Sequence, residues 1–374
     1  MKSTYLDFNA TTPVRLEVVE MMNNLMNKDF GNAGSRTHQS GLDAKKYVAG
    51  AREQIAQTAN CTSKEVVFTS GATESNNIAL LGIANFGNQN NKRHIISSVT
   101  EHKAVLEPLE SLAQHGFDVE LLHPDKNGAI TADQVKSALR EDTLLVSLMH
   151  ANNETGVFNE VNEIAKLLAD TRTIFHVDAA QTFAKTGLSL SSDIDLISVS
   201  GHKTFGPKGI GALIYRQTKG NYLQPIMVGG GQENGLRPGT LPVSQIAGFG
   251  LAAELAAKES GNWYKVCQDF KTQFIAALQP LDVHIAGDVN KSLPNTLNVA
   301  IKDIDAEALI IMLKEVCEIS TGSACTSEKY EPSHVLTGMG MSNEQAQKHV
   351  RFSWSATTNP EVIETITQRI KLLS

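Results

Sequence analysis

The chain has few cysteines and lacks the paired motifs that bind structural metals. Its 374 residues include four cysteines, no two of which form a CxxC motif, and its histidines form no cluster with zinc spacing. Neither a disulfide framework nor a zinc site is therefore expected, and no metal is assigned to any site. A chain of this length can bury a large core without such cross-links.

Long apolar runs and an excess of basic charge are also missing. No apolar run approaches the roughly 18–20 residues that a membrane-spanning helix needs, and the start, MKSTYLDFNATTPV, has no apolar signal-peptide core. With 33 basic and 40 acidic residues, the net charge of −7 indicates no surface for direct nucleic-acid binding. We expect a soluble, cytoplasmic, reduced protein with free thiols and no membrane contact.

Apolar, β-rich runs alternate with helical stretches over the first two thirds of the chain. These runs cover residues 66–69, 95–99, 144–149, 174–177, 196–199 and 210–215. Such alternation predicts an α/β fold with a mostly parallel sheet. After about residue 257 the pattern changes to strands at 283–286, 296–301 and 349–353, with helices near 306–316 and 362–373. This second pattern indicates a smaller α+β part.

Three polar features each follow a predicted strand. TSGATES at residues 69–75 places a glycine turn at a helix N-terminus, which favours an anion such as phosphate, although an ordinary helix cap explains it as well. Asp178 ends the run IFHVD and is either a ligand carboxylate or a helix cap. Lys203 in SGHK is either a Schiff-base lysine or a lysine that reaches solvent at the sheet edge. Together they match the phosphate, ring nitrogen and aldehyde of pyridoxal phosphate (PLP), which makes PLP plausible.

Further candidates come from four other segments. His102 in EHKAVLEP suits stacking on a flat cofactor or proton transfer, and NNETG at residues 152–156 suits ligand binding or a turn. Cys325 lies among small, polar residues in TGSACTS, which fits an exposed nucleophile or a plain loop cysteine. Arg351 in HVRFS fits a carboxylate clamp or a salt bridge on an edge strand. Cys317 sits in an apolar run and is expected to be structural.

Ten motifs, in order, resemble those of the cysteine desulfurases, in the group with the longer catalytic-cysteine loop that includes NifS and IscS. They are YLDFNATTP, TSGATES, TEHKAVLEP, NNETG, HVDAAQ, SGHKTFGPKGIGAL, RPGT, TGSACTS, EPSHVL and VRFS. The resemblance covers about residues 5–360. It implies the aminotransferase-like fold-type I architecture, with a large PLP-binding domain at residues 14–257. Residues 1–13 and 258–374 would form the small domain that carries the catalytic cysteine.

The resemblance also implies how PLP is held. Lys203 would bind it covalently, Asp178 would pair with the ring nitrogen, Gln181 would contact the ring hydroxyl, and His102 would stack on the ring and assist proton transfer. The phosphate would be bound at the end of the TSGATES turn and after the strand that precedes the lysine. The residues implied there are Ala72, Thr73, Ser200 and His202. Thr240 in RPGT would reach the phosphate of a partner subunit, which implies a homodimer.

The reaction implied is removal of sulfur from L-cysteine to give L-alanine and a persulfide on Cys325. Arg351 would bind the substrate carboxylate, and Asn153 would contact the cofactor or substrate. The acceptor would be an iron–sulfur scaffold, a tRNA-thiolation route or a DNA phosphorothioation system. The chain ends at IKLLS without the longer tail of the housekeeping relatives, which favours a specialised partner. A selenocysteine lyase or other fold-type I PLP enzyme is the alternative within this class, and an interaction subunit without PLP is the alternative outside it.

Overall fold

The computed structural model describes residues 3–187, 189–321 and 332–372. Cys325 lies outside the described residues. Twelve strands occur within them: β1 Thr4–Tyr5, β2 Val66–Thr69, β3 His94–Ser98, β4 Asp118–Leu122, β5 Thr143–Met149, β6 Ile174–Asp178, β7 Leu196–Ser200, β8 Gly211–Tyr215, β9 Val283–Ile285, β10 Thr296–Ile301, β11 Cys317–Glu318 and β12 His349–Ser353.

Twelve α-helices accompany these strands in the described part of the chain. They are α1 Leu16–Asn27, α2 Gln39–Thr58, α3 Ala72–Leu81, α4 Ala84–Gln89, α5 Lys103–Gln114, α6 Ala132–Ala138, α7 Val161–Leu168, α8 Val243–Leu278, α9 Ala306–Leu313, α10 His334–Gly338, α11 Asn343–Ala346 and α12 Val362–Lys371. Within the same ranges, no helix combines the length and apolarity required to cross a bilayer.

A seven-stranded sheet in the order β2-β8-β7-β6-β5-β3-β4 forms the larger core. Strand β8 runs antiparallel to both β2 and β7, and all other neighbours are parallel, so the predicted mostly parallel sheet is confirmed. Strands β5, β6 and β7 are buried along their whole length, as expected of unbroken apolar runs covered by helices on both faces. Because they are parallel, their carboxyl ends meet at one edge of the sheet.

The smaller sheet is antiparallel, in the order β12-β10-β9. Its core is aromatic: the rings of Phe274 and Phe352 are 5.1 Å apart, and those of Phe270 and Trp354 are 4.8 Å apart. The N-terminal arm reaches this part of the chain, because β1 pairs in parallel with β11 and Asp7 forms a bridge with Ser353. The arm therefore lies between the two sheets.

Helix α8 runs through both cores without interruption for 36 residues. Near its beginning, Ile246 and Phe249 pack against the large sheet, whereas Phe270 and Phe274 near its end pack in the aromatic core. Residue 257, where the sequence pattern changes, falls inside this helix. The change in pattern therefore corresponds to the point where one helix leaves one core and enters the other.

Candidate active site

A cleft of about 590 Å³ opens at the carboxyl edge of the large sheet and extends to the N-terminal arm and the small sheet. It brings together ten of the residues selected from the sequence. They are Ala72, Thr73, His102, Asn153, Asp178, Gln181, Ser200, His202, Lys203 and Arg351. These residues come from segments almost 280 positions apart, so the folded chain gathers them at one place.

Lys203 ends the short 3-10 turn that follows strand β7. Its Nζ donates to the backbone carbonyls of Asn9, in a short contact, and of Ala10 at 2.9 Å. The amine therefore points back to the N-terminal arm at the mouth of the cleft rather than out to bulk solvent. Phe205, two residues on, has a left-handed φ of 61°, and its N–H donates to Thr12 Oγ1 at 2.8 Å, so the arm also fixes the turn after the lysine.

Asp178 lies at the end of β6 and is 8% exposed. Its Oδ2 accepts from Asn76 Nδ2 at 2.7 Å, and its Oδ1 accepts from the N–H of Ala180 at 2.9 Å. These two contacts hold the carboxylate in one orientation. The contact with Ala180 is the one that the helix-cap interpretation predicts. The contact from α3 shows that the carboxylate is also oriented across the floor of the cleft.

The cradle at the start of α3 suits an anion. Gly71 precedes the helix without a side-chain cap for the first-turn N–H groups. Strand β8 passes very close to this turn: a Cβ on Gly211 would lie 2.7 Å from the Cα of Gly71, so only glycine fits there. Ser200 lies against the same turn, since a Cβ on Gly71 would meet its Oγ at 3.8 Å. Free N–H groups and a hydroxyl thus face one point.

Of the histidines that border the cleft, His102 and His202 have lowered pKa values. For His102, desolvation by the surrounding protein lowers the pKa, Lys203 and His334 lower it further, and Asp178 opposes them. His102 caps α5, where its Nδ1 accepts from the N–H of Ala104 at 3.1 Å, so the neutral ring carries its proton on Nε2. His202 has its pKa lowered to about 4, first by burial and then by nearby lysines.

Arg351 on β12 lies at the far wall of the cleft and is 4% exposed. Its guanidinium forms an ion pair with Asp7 at 2.5 Å, and it donates to Ser320 Oγ at 3.0 Å and to the carbonyl of Asn153 at 2.9 Å. The edge-strand salt bridge considered from the sequence is therefore present. Its Nε is buried without a hydrogen-bond partner among the described residues.

Thr240 does not join this cleft. It lies beside a separate depression that also contains Asn32, Arg36 and Glu233. Residues 226–228, upstream in the same connection, expose three apolar side chains, with Val228 90% exposed. Within one chain, Thr240 is therefore outside the group formed by the other selected residues.

Several residues that complete the cleft were not predicted from the sequence. Asp7 and Asn9 come from the arm, Asn76 from α3, Glu154 from the connection after β5, and His334 from the start of α10. Asp7 and Asn9 lie within YLDFNATTP and Asn76 directly follows TSGATES, so these motifs contained the signal. The motifs do not show which of their side chains point into the cleft.

The three described cysteines are unsuited to act as nucleophiles. Burial raises the pKa of Cys61 to about 11 and the pKa values of Cys267 and Cys317 to about 12. Thiolate, the reactive form, is therefore scarce at all three near neutral pH. Cys317 is buried in the small-sheet core, as expected from its apolar run.

Within the described part of the chain, the cleft has buried polar atoms without hydrogen-bond partners, and these atoms suit PLP. Gln181 Oε1 and Asn76 Oδ1 are buried without a hydrogen-bond partner among the described residues, which is costly unless a ligand supplies one. A lysine, a hydrogen-bonded carboxylate and an anion cradle complete the set that the aldehyde, ring nitrogen and phosphate require. On this mostly parallel sheet, the site defines a fold-type I PLP-dependent enzyme.

Comparisons with known proteins agree with this class and narrow it. The model of the aminotransferase class-V family matches residues 4–366. Cysteine desulfurase IscS of Shewanella sp. (strain W3-18-1) is 44% identical over 377 residues, covering 99% of this chain and 93% of the relative. The chain belongs to the cysteine desulfurases of the aminotransferase class-V family, in the NifS and IscS group, and it uses PLP.

Solved structures show the same relationship. A NifS-like protein superposes with a TM-score of 0.91 at 34% identity, with 99% of each chain covered. DndA from Streptomyces lividans superposes with a TM-score of 0.83 at 48% identity, covering 94% of this chain and 99% of that one. The expected fold-type I architecture is thereby confirmed.

Proposed function

We propose that this enzyme breaks the C–S bond of L-cysteine, releases L-alanine and forms an S–S bond on Cys325 as a persulfide. The observation that supports this most is the position of the cleft. Ser320 and Pro332 both line it, and Cys325 belongs to the segment between them. The segment with the proposed acceptor thiol therefore begins and ends at the cleft that contains Lys203 and Arg351.

The residues that would hold PLP are those whose contacts are described above. Lys203 would provide the covalent attachment, Asp178 would pair with the ring nitrogen and Gln181 would contact the ring hydroxyl. The N-terminus of α3, with Ala72 and Thr73, would bind the phosphate together with Ser200 and His202. Bound PLP supplies an electron sink that stabilises negative charge at the substrate Cα.

His102 and Arg351 then act on the substrate itself. Because the pKa of His102 is lowered, its ring is neutral at pH 7 and holds its proton on Nε2, in reach of the cleft. Arg351 binds the substrate carboxylate, and its ion pair with Asp7 limits how far the guanidinium can turn. Asn153, whose carbonyl accepts from Arg351, keeps this wall in place.

We further propose a homodimer in which Thr240 completes the partner's phosphate site. Two features support this. Thr240 is exposed and outside the cleft of its own chain, and the connection before it exposes Ile226, Met227 and Val228. Apolar side chains exposed next to one another are typical of an interface.

We also propose a division into a large domain at residues 14–257 and a small domain formed by residues 1–13 and 258–374. The two separate cores support this division.

The sulfur acceptor is one of three kinds: an iron–sulfur scaffold, a tRNA-thiolation protein or a DNA phosphorothioation protein. Of these routes we favour phosphorothioation, because the identity to DndA is 48%, compared with 42–44% for the IscS relatives. Pull-down of each candidate acceptor, followed by transfer of labelled sulfur from the enzyme, distinguishes the three.

The test of the proposed function uses Cys325→Ser. We expect it to keep the visible absorbance of bound PLP and to release no sulfide from L-cysteine in the presence of a thiol reductant. Cys61→Ser is the matched control and is expected to be fully active, because burial keeps the pKa of Cys61 at about 11. Sulfide release by Cys325→Ser at the rate of the control would refute the assignment. Lys203→Ala is expected to lose the absorbance band.

A further inference from the structure

Asn9 on the N-terminal arm has more polar contacts around the cleft than its motif suggested. It is 1% exposed, and its backbone N–H donates to Ser353 Oγ at 2.9 Å. Its Oδ1 accepts from Asn295 Nδ2 at 3.2 Å, and its Nδ2 donates to Thr296 Oγ1 at 2.8 Å. The backbone N–H and the side chain of Asn9 are therefore fastened to the strands of the small sheet and their flanks.

The backbone carbonyl of the same residue faces the large sheet. It accepts from Gln181 Nε2 at 3.0 Å and from Lys203 Nζ, and the carbonyl of Ala10 accepts from the same Nζ at 2.9 Å. The lysine amine thus donates to two backbone carbonyls, and the hydrogen bonds of the Asn9 side chain fix the position of this stretch of backbone. Any displacement of Asn9 displaces both acceptors.

Asn9 also reaches the substrate side of the cleft. Its Nδ2 donates to the carbonyl of Asn153 at 3.2 Å, and this carbonyl accepts from Arg351 Nη1 at 2.9 Å. The buried Asn9 side chain is therefore connected to Arg351 by two hydrogen bonds that share the Asn153 carbonyl. It is connected to Lys203 through the backbone carbonyl of Asn9 itself. These two residues belong to different sheets and are 148 positions apart.

We propose that Asn9 is a positioning residue that fixes Lys203 and Arg351 relative to one another. This proposal rests on the proposed function, since it assumes that Lys203 holds PLP and Arg351 holds the substrate. Asparagine is required because the position needs a donor toward Thr296 and Asn153 and an acceptor toward Asn295 at once. A side chain that lacks the donor leaves the Thr296 hydroxyl without this hydrogen bond and leaves Arg351 as the remaining donor to the Asn153 carbonyl.

The test compares Asn9→Ala and Asn9→Asp with a buried asparagine elsewhere. Asn9→Asp keeps the size and the acceptor but loses the donor, so it separates lost hydrogen bonds from lost volume. Asn159→Ala is the control: Asn159 is buried and accepts from the N–H of Ile130 at 2.7 Å and donates to Met149 O at 2.8 Å, without contact to Lys203 or Arg351. All variants are purified as holoenzyme, and their thermal midpoints are measured first.

Two quantities are then followed: the rate of PLP release from the holoenzyme, by absorbance, and KM for cysteine. We expect both Asn9 variants to release PLP about tenfold faster and to raise KM about tenfold, since each loses hydrogen bonds to buried groups. Asn159→Ala is expected to lose thermal stability to a similar degree while both quantities stay near the parent value. Equal PLP release and KM in the Asn9 and Asn159 variants would overturn the proposal.

A milder variant covers the case in which the Asn9 variants do not fold. Thr296→Val removes the hydroxyl that accepts from Asn9 Nδ2 at 2.8 Å and donates to Asn295 Oδ1 at 3.4 Å, and we expect changes in the same direction but smaller. Unchanged PLP release and KM in Thr296→Val, with the Asn9 variants unfolded, would also overturn the proposal. Absence of sulfide release by the unaltered enzyme would instead refute the proposed function, and PLP release would still report on Asn9.

Discussion

The ion pair between Arg52 and Glu233 holds the connection that leads to Thr240. Glu233 has a side chain 1% exposed, and its two carboxylate oxygens accept from Arg52 at 2.6 and 2.8 Å. It also accepts from the N–H of Phe68 on β2 at 2.8 Å. Glu233 and Asn234 have left-handed φ values of 48° and 56°, which is unfavourable without such anchoring.

We predict that Arg52→Met destabilises the protein strongly. Removing one member of a buried pair costs about 3–5 kcal/mol, and the retained contact to Phe68 favours the lower end. An unfolding entropy of about 2.1 cal/mol/K per residue gives about 0.8 kcal/mol/K for 374 residues, so the thermal midpoint falls by about 4 °C. The assay is thermal unfolding followed by circular dichroism, at saturating PLP and one fixed protein concentration.

Two comparisons make this prediction specific. Lys166→Met removes the cation of an exposed pair with Glu163, with side chains 66% and 58% exposed, and is expected to cost less than about 1 kcal/mol. Adding Glu233→Gln to Arg52→Met should restore part of the loss, because no buried charge then stays unpaired and the amide oxygen still accepts from Phe68. A midpoint for Arg52→Met equal to that of Lys166→Met would refute the reasoning, as would the absence of any recovery.

Three other predictions concern the cleft. The pKa of His102 lies below its ordinary value of 6.5, so its ring becomes charged only on acidification. We expect kcat/KM to fall with a midpoint below pH 6.5, and His102→Gln should abolish this acid limb of the pH–rate profile. Arg351→Lys should raise KM for cysteine about tenfold with less effect on kcat, measured by initial rates, because lysine cannot form the bidentate contact. Asn76→Leu should accelerate PLP release about tenfold, seen by absorbance, since Asp178 loses a donor at 2.7 Å.

The buried strands were predictable from the sequence because their composition alone distinguishes them. The run at 66–69 coincides with β2, and 349–353 coincides with β12. Strand β4 was missed because its sequence, DVELL, is largely exposed and carries two acids. Strands β2 and β12 also lie at sheet edges, but both are buried along their whole length.

Helix α2 was missed for a different reason. Its buried face includes small residues such as Gly41, Ala44 and Ala51, which give a weak amphipathic signal. They matter because α8 passes very close: a Cβ on Gly250 would lie 2.6 Å from the Cα of Ala51. Close helix packing depends on the absence of large side chains from both helix surfaces. A single sequence does not show which helices pack against one another.

The candidate site was predictable where a residue is recognised by its own chemistry, as Lys203 and Asp178 are. Asn9 and Asp7 were not, because their importance depends on an arm that crosses to strands some 300 positions away. A hydrogen bond between distant segments leaves no mark on the local pattern. Contacts of this kind have to be read from the fold.

The uninterrupted course of α8 has a consequence for how this protein can be cut or rearranged. At 1.5 Å per residue, its 36 residues form a rod of about 54 Å. A protease, a circular permutation or a split-protein design directed at residue 257 would have to break that rod at its middle, exposing apolar surface on both sides. Suitable break points lie instead in exposed turns away from the proposed interface, such as the one at Asn90 and Asn91.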